Sequence, residues 1–580
     1  MGIVQDYSLK VGGEAGQGIN TIGSILSKSF ADQGLHLFGH QDYFSRVRGG
    51  HNFYQVRVAS FPVYSFSDRV EVMIALDEAS LGLHSDEMAE DGVIIYDQDN
   101  FEPEEEVENS LALPMASLGK EHGGKKVMGN TVAAGAAWQI MGGKPDILEN
   151  ALKRLFRAKG SEIAEANVRA ARAGADYAEK NFSGRCACSI EKADNNGSMV
   201  VTGNEALALG ALAAGCRFMS SYPMTPASGV IEYMARQSKR LPLAFEQAED
   251  EIAAINMSIG AASAGLRSMV ATSGSGFSLM VEGLSLAGIT ETPIVILLGQ
   301  RPGPATGLAT RTEQGELLFC MHAGNGEFPR AILAPPTATE AFWTAAHAFN
   351  LAEKYQIPVF IMSDQHLADS YYTVEPFDLE AVAIERGNLL DEEALSKMEE
   401  YKRYLITESG ISPRAFPGQG NKCVVTCGNE HLESGYSTEN PEMRREMVNK
   451  RLRKLKGIVE EIKPPVSYGS ENPETLLFTW GSSYGACRDA VDKANKQGEK
   501  FQVVYFPQLW PFPNKQVLQF TSQAKRVVTV EMNATGQLGR LLRTETGFQP
   551  DLAVLKYDGR PMNANYVLNQ LEEGGVFPWQ

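Results

Sequence analysis

The sequence predicts an α/β protein built from several doubly wound α/β domains, and three observations carry that expectation. Strand-like apolar runs alternate with helical-period runs, as in "RSMVATSG", "TPIVILLG" and "PVFIMSD", with "TATEAFWTAAHAFNLAEKY" before the last of them. That rhythm belongs to a parallel sheet covered by crossover helices. The chain has 580 residues, more than one hydrophobic core holds, and a length prior gives about three or four domains. Glycine-rich turns also follow strand-like runs and open helices, as α/β units require.

The first block opens with "DYSLKVGGEAGQGINTIGSILSKSFADQG", read as a strand, a glycine-rich turn and an amphipathic helix. Gly13, Gly16 and Gly18 stand in a G-x-x-G-x-G order rather than G-x-G-x-x-G, and no acidic residue closes the next strand near "LHLFGH". A nicotinamide site is therefore poorly supported; the turn suits either an anion or a plain helix start. "SRVRGGHNFYQVRVAS" follows, gathering Arg46, Arg48, His51 and Arg57 around two glycines. It reads either as a cationic patch for phosphates or an acidic partner surface, or as the solvated face of a β-hairpin. The polar run Phe182–Gly197 reads as a linker.

A second block begins at "MVVTGNEALALGALAAG" and carries the strand–helix alternation most clearly. From Glu375 to Pro465 the chain turns polar, and "MRREMVNKRLRKLKG" is expected to be a solvated or partner-facing helix. The last block, from "TLLFTWGSSYGACRDAV" to "RVVTVEMNATGQLGRLL", returns to the β-α-β pattern as a smaller domain.

Composition narrows the function classes. Hydrophobic content of 43% and charged content of 21% are those of a soluble globular protein. A net charge of −18 argues against nucleic acid. No apolar run approaches the roughly 20 residues of a membrane span, and "MGIVQDYSLKVGG" lacks a signal-peptide pattern, so a cytoplasmic location is expected. The seven scattered cysteines read as reduced, incidental thiols rather than a metal or cluster site.

In sheets of this kind ligands sit beyond the carboxyl ends of the strands. Three loops fall there: "SSYPMTPAS", "TSGSGFS" and "GQRPGPATGLATRTEQGEL". Proline rigidifies the first loop around Thr225. "EQAEDEIAA" places Glu249, Asp250 and Glu251 at a helix start, where capping alone also favours acids. Arg301 opens the third loop and is suited to clamp a carboxylate.

Taken together, "SSYPMTPAS", "QAEDEIAA", "GQRPGPATGLATRTEQGEL" and "EMNATGQL" resemble the α subunit of the 2-oxoacid:ferredoxin oxidoreductases, which are thiamine-diphosphate enzymes. "GGEAGQGI" and "SRVRGGHNFYQVRVAS" are similar to that family's γ domain, fused here in front. The middle stretch from "YLITESGISPRAFPG" to "NPEMRREMVNKR" looks most like the 2-oxoglutarate branch. The resemblance covers essentially the whole chain. It implies a γ-type domain over residues 1–185, a thiamine pyrimidine-binding domain over 198–375, a connecting segment over 376–470 and a transketolase C-terminal-like domain over 471–580.

The resemblance also implies roles. A carboxyl hydrogen-bonded to pyrimidine N1′ helps the cofactor lose its C2 proton; that glutamate falls on Glu251, with Glu249 as the alternative. Tyr222 and Pro223 would line the cofactor. Thr225 would face the reacting centre, Arg301 would hold the 2-oxoacid carboxylate, and Thr306 would line the same pocket. His366 would meet a distal substrate carboxylate, or else is a structural histidine at a helix start. Arg46 and Arg48 would face CoA or a partner. Met224 and Ala227 depart from the family's usual isoleucine and serine.

The chain contains no Gly-Asp-Gly and no four-cysteine run. The expectation is that a β subunit supplies the diphosphate site, its Mg and a [4Fe-4S] cluster, in a dimer of heterodimers. That assembly would use CoA as cosubstrate and ferredoxin as electron partner, and would convert 2-oxoglutarate to succinyl-CoA or run the reverse reductive carboxylation. The competing expectations are another 2-oxoacid, such as pyruvate, and a non-catalytic scaffold.

Overall fold

The computed structural model describes residues 5–43, 50–193, 195 and 197–575. The chain divides into two compact units, Met1–Val201 with Ser370–Phe377, and Thr202–Asp369 with Asp378–Gln580.

In the first unit an eight-stranded mixed sheet runs in the order Ser110–Leu113, Met88–Asp97, Val70–Ala75, Asp6–Glu14, His51–Ala59, His36–Tyr43, Tyr371–Val374, Met199–Thr202. The glycine-rich turn after Asp6–Glu14 leads into helix Ile19–Asp32, and Gly18 holds a left-handed φ of 94° at its start, a conformation that favours glycine. Strands His36–Tyr43 and His51–Ala59 pair antiparallel, with His36 opposite Ala59. Arg57 forks onto Asp6 through two 2.8 Å hydrogen bonds, and His51 Nε2 lies 2.8 Å from His84 Nε2. Two members of the four-cation motif are thus engaged inside the fold; Arg46 and Arg48 lie outside the described residues. Helices Gly129–Ile140 and Ser161–Asn181 meet so closely that a Cβ on Gly135 or Gly174 would strike the opposing backbone. Cys186 and Cys188 are joined in a disulfide, against the expectation of reduced thiols: a two-residue separation in a non-helical stretch lets both sulfurs face one another.

The second unit holds two sheets. Seven strands run in the order Gln508–Trp510, Ala331–Leu333, Pro358–Asp364, Ile294–Gln300, Arg267–Thr272, Cys216–Ser221, Ala244–Gln247. All neighbours are parallel except the Gln508–Trp510 edge. Every residue of the central strand Ile294–Gln300 is buried, as a parallel strand covered on both faces demands. Five further strands run Val466–Gly469, Phe501–Tyr505, Thr475–Thr479, Arg526–Glu531, Leu552–Leu555. One core joins the two sheets, packing Ile296, Phe360 and Met280 with Phe478, Trp480 and Leu538.

Residues 376–440 contain only the short helix Glu392–Lys397 as regular structure, helix Pro441–Glu460 follows, and buried ion networks hold the segment. Glu353 meets Arg267 at 3.0 Å, Arg386 at 2.5 Å and Arg414 at 2.6 Å. Glu291 meets both Lys450 and Lys454 at 2.5 Å. Helix Pro441–Glu460 is therefore not a solvated or partner-facing basic helix along its whole surface. Met447, Lys450, Arg451, Lys454 and Ile458 form its buried face, because three- and four-residue spacings stack these positions. No helix among the described residues is long and apolar enough to cross a membrane.

Candidate active site

The parallel order of the seven-stranded sheet brings five strand ends to one edge. Strand Cys216–Ser221 delivers Tyr222–Ala227, and Ala244–Gln247 delivers Ala248–Asp250 ahead of helix Glu251–Ser263. Arg267–Thr272 delivers Ser273 and helix Gly274–Ile289; Ile294–Gln300 delivers Arg301; and Pro358–Asp364 delivers helix Gln365–Asp369.

The three acids of "AEDE" separate into three environments. Glu249 is exposed. Asp250 caps its helix, its Oδ1 accepting the Ala253 N–H at 2.7 Å. Glu251 is 4% exposed and has no hydrogen-bond partner among the described residues. Its carboxyl lies against the start of helix Gly274–Ile289, where a Cβ on Gly276 would come 2.6 Å from Oε1 and also strike Thr272 Oγ1. Gly276 is thus the cradle that lets a carboxyl enter. Its carboxyl oxygens are not among the sealed side-chain atoms, so they stay open to a donor from outside the chain. The amidine edge of an aminopyrimidine ring, presenting a proton at a ring nitrogen, can supply one.

Arg301 ties the neighbouring loop in place. Its Nη1 donates to the Thr225 carbonyl at 2.8 Å and its Nη2 lies 3.5 Å from Met224 Sδ. The side chain is buried, and its Nε–H is sealed without an acceptor. Thr225 is half-buried, whereas Tyr222 and Pro223 are exposed. Asn204 Nδ2 donates to the Pro226 carbonyl at 3.1 Å, fixing the far end of the loop. Met224, the departure from the family's isoleucine, is therefore a contact of the arginine itself.

Thr306 sits on the exposed stretch Gly303–Leu308. His366 is buried, and burial pushes its imidazole down to about 4, so it is neutral at neutral pH. Its backbone N–H donates to Thr312 Oγ1 at 3.2 Å.

Two groups were not singled out from the sequence. Gln314 pins the loop after Arg301 to the five-stranded sheet. Its backbone N–H donates to the Met532 carbonyl at 2.6 Å, its Nε2 to the Trp480 carbonyl at 2.9 Å, and its Oε1 accepts Ser483 Oγ at 2.8 Å. Glu316 stands against Gly274, its Oε2 sealed without a partner. Burial and the neighbouring Glu313 push its carboxyl up to about 8. Both lie in the quoted "TRTEQGEL", but nothing in a polar loop's pattern signals a buried acid. Among the described residues no group of three or more His, Cys, Asp or Glu side chains is arranged to hold a metal ion.

Residues 8–177 match the family described as pyruvate ferredoxin/flavodoxin oxidoreductase. Residues 209–450 match pyruvate flavodoxin/ferredoxin oxidoreductase, thiamine diphosphate-binding, and 473–559 match pyruvate:ferredoxin oxidoreductase core domain II. The alpha subunit of a 2-oxoacid:ferredoxin oxidoreductase from Saccharolobus solfataricus is 32% identical over 97% of this chain and 96% of its own. The chain belongs to the 2-oxoacid:ferredoxin oxidoreductases. Within that family it is similar to the 2-oxoglutarate oxidoreductase subunit KorA of Mycobacterium tuberculosis, 30% identical over 93% of this chain and 87% of the relative. It is also similar to the solved 2-oxoglutarate:ferredoxin oxidoreductase from Magnetococcus marinus, described with 2-oxoglutarate, coenzyme A and succinyl-CoA bound. The TM-score there is 0.91 at 32% identity, covering 98% of this chain and 99% of that one. The resemblance read from the motifs, the α/β fold class and the assignment as an oxidoreductase of this family are borne out. As a member of the family, the chain carries its thiamine diphosphate-binding domain.

Proposed function

We propose that this chain is the alpha subunit, with a fused γ-type domain, of a CoA-dependent 2-oxoglutarate:ferredoxin oxidoreductase. The reaction is 2-oxoglutarate with CoA and two oxidised ferredoxins, giving succinyl-CoA, CO2, a proton and two reduced ferredoxins, or its reverse. The observation that carries the reading is Glu251: a carboxyl at 4% exposure with no hydrogen-bond partner among the described residues and its oxygens still open, cradled by Gly276, on the same sheet edge as Arg301 and Thr225. The choice of 2-oxoglutarate is supported by the names of the KorA relative and of the Magnetococcus marinus protein.

Bound thiamine diphosphate would supply a carbon nucleophile and an electron sink. Glu251 would hold a proton at the pyrimidine N1′, with exposed Glu249 the weaker candidate, and Tyr222 and Pro223 would border the ring. Arg301 would bind the 2-oxoacid carboxylate through the remaining N–H groups of its Nη atoms, which orients the substrate and costs little reorganisation because Thr225 already holds the guanidinium. Thr225 would present its hydroxyl to the reacting centre, and Thr306 would come from the exposed loop to border the substrate. His366 would support the strand end, or, through the one N–H of its neutral imidazole, meet a distal substrate carboxylate. Arg46 and Arg48 would face CoA or a partner.

On this reading residues 1–185, 198–375, 376–470 and 471–580 act as γ-type, pyrimidine-binding, connecting and transketolase C-terminal-like domains. A β subunit would hold the diphosphate, Mg and a [4Fe-4S] cluster in a cytoplasmic dimer of heterodimers. Because the matching family descriptions name pyruvate, pyruvate is the second substrate to test. The test is CoA-dependent reduction of a viologen by the co-expressed complex. The expected order is 2-oxoglutarate well ahead of pyruvate, branched-chain and aryl 2-oxoacids; faster turnover of any of these overturns the substrate assignment.

A further inference from the structure

Arg301 and Glu316 each carry one sealed polar atom with no partner, Nε on the arginine and Oε2 on the glutamate. They lie close enough to attract one another, yet no ion pair joins them among the described residues. Arg301 Nη1 donates to the Thr225 carbonyl and Nη2 lies against Met224, each keeping a second N–H. Glu316 is held from the other side. Its backbone N–H donates at 3.2 Å to Oε1 of Gln300, the buried residue before Arg301, and Gln300 Nε2 donates to the Ser363 carbonyl at 3.1 Å. Gly274 leaves the space its carboxyl occupies.

We propose that Glu316 is a positioning residue for Arg301: it carries its proton when a 2-oxoacid carboxylate binds, and once ionised it draws the guanidinium away from that carboxylate. The proposal rests on the reading that Arg301 takes the substrate. An ionised Glu316 beside Arg301 would compete with an anionic substrate for the guanidinium, whereas a neutral carboxylic acid leaves the full cationic charge to the ligand. Burial is the main influence favouring the neutral form of Glu316, and Glu313 on its own loop adds to it by repelling a charge there. Arg301 and the Gly315 backbone N–H oppose them, the Cys320 thiol stays protonated, and the facing turn of helix Gly274–Ile289 carries no acidic side chain. The balance pushes the carboxyl up to about 8.

The test uses the co-expressed complex with 2-oxoglutarate from about pH 7 to about pH 9. In the wild type KM rises above the transition by about tenfold per pH unit, with kcat much less affected. Glu316→Gln, which mimics the protonated acid, abolishes that rise. An infrared pH titration of the wild-type complex supplies a readout apart from turnover: a protonated-carboxyl band fades over the same interval and is missing in Glu316→Gln. Arg301→Lys separates the two levels of the account. If it leaves KM unchanged at every pH, the substrate reading falls and this proposal with it. If it raises KM while Glu316→Gln keeps the wild-type rise, or if the wild-type carboxyl band is absent at pH 7, this proposal alone is overturned.

Discussion

Glu249 and Glu251 stand two positions apart, and burial separates them: one is exposed and the other is 4% accessible at the foot of a helix. Turnover by the complex is therefore expected to fall about 100-fold or more in Glu251→Gln and to stay near wild type in Glu249→Gln. Gly276→Ala tests the same carboxyl without touching charge. Its methyl would press on Glu251 Oε1 and Thr272 Oγ1, so turnover and bound thiamine should both drop while assembly with the partner persists. For Arg301→Lys the positive charge survives but the fork does not, and a KM increase of about 10- to 100-fold is expected. The site was partly legible at this scale. Thr225, Glu251 and Arg301 announce themselves through proline spacing, a helix start and a strand end. Glu316 does not, because a sequence shows an acid in a polar loop and hides the burial that changes its protonation.

At the level of elements, the connecting segment shows where sequence reading runs out. Its basic helix looks solvated as a string of letters, but Lys450 and Lys454 pair with Glu291, 159 and 163 residues earlier, and Arg386 pairs with Glu353, 33 residues earlier. Long-range ion pairs leave no local pattern. Glu353→Ala strips the partner from Arg267, whose side chain is 1% exposed, and should cost about 3–5 kcal/mol, seen as a lower urea midpoint. Glu430 gives a pH signature. Burial works against its ionisation, yet Arg451 and Arg444 hold its carboxyl down at about 2. An unfolded glutamate titrates at about 4.3, so the stabilisation is complete above that pH and is lost as pH falls towards 2. Glu430→Gln should flatten the acid limb of a stability-versus-pH curve in that window and leave the limb above pH 5 parallel to wild type. The parallel strands, by contrast, were legible, because continuous burial on both faces writes itself as unbroken apolar runs such as "TPIVILLG".

Over the whole molecule, the alternation of strands and helices, the order of the motifs and the similarity along nearly the full chain agree on one family. Strand Tyr371–Val374, sited just after the strand that ends at Asp364, pairs with His36–Tyr43. A pairing across more than 300 residues has no signature in local periodicity. The net charge of −18 predicts that association with a basic partner surface weakens with salt. The most direct test of the central claim is CoA-dependent viologen reduction with 2-oxoglutarate by the co-expressed complex, comparing wild type with Glu251→Gln at equal thiamine saturation and matched assembly. The account predicts turnover in the wild type and a loss of about 100-fold or more in the variant; equal turnover in the two would contradict it.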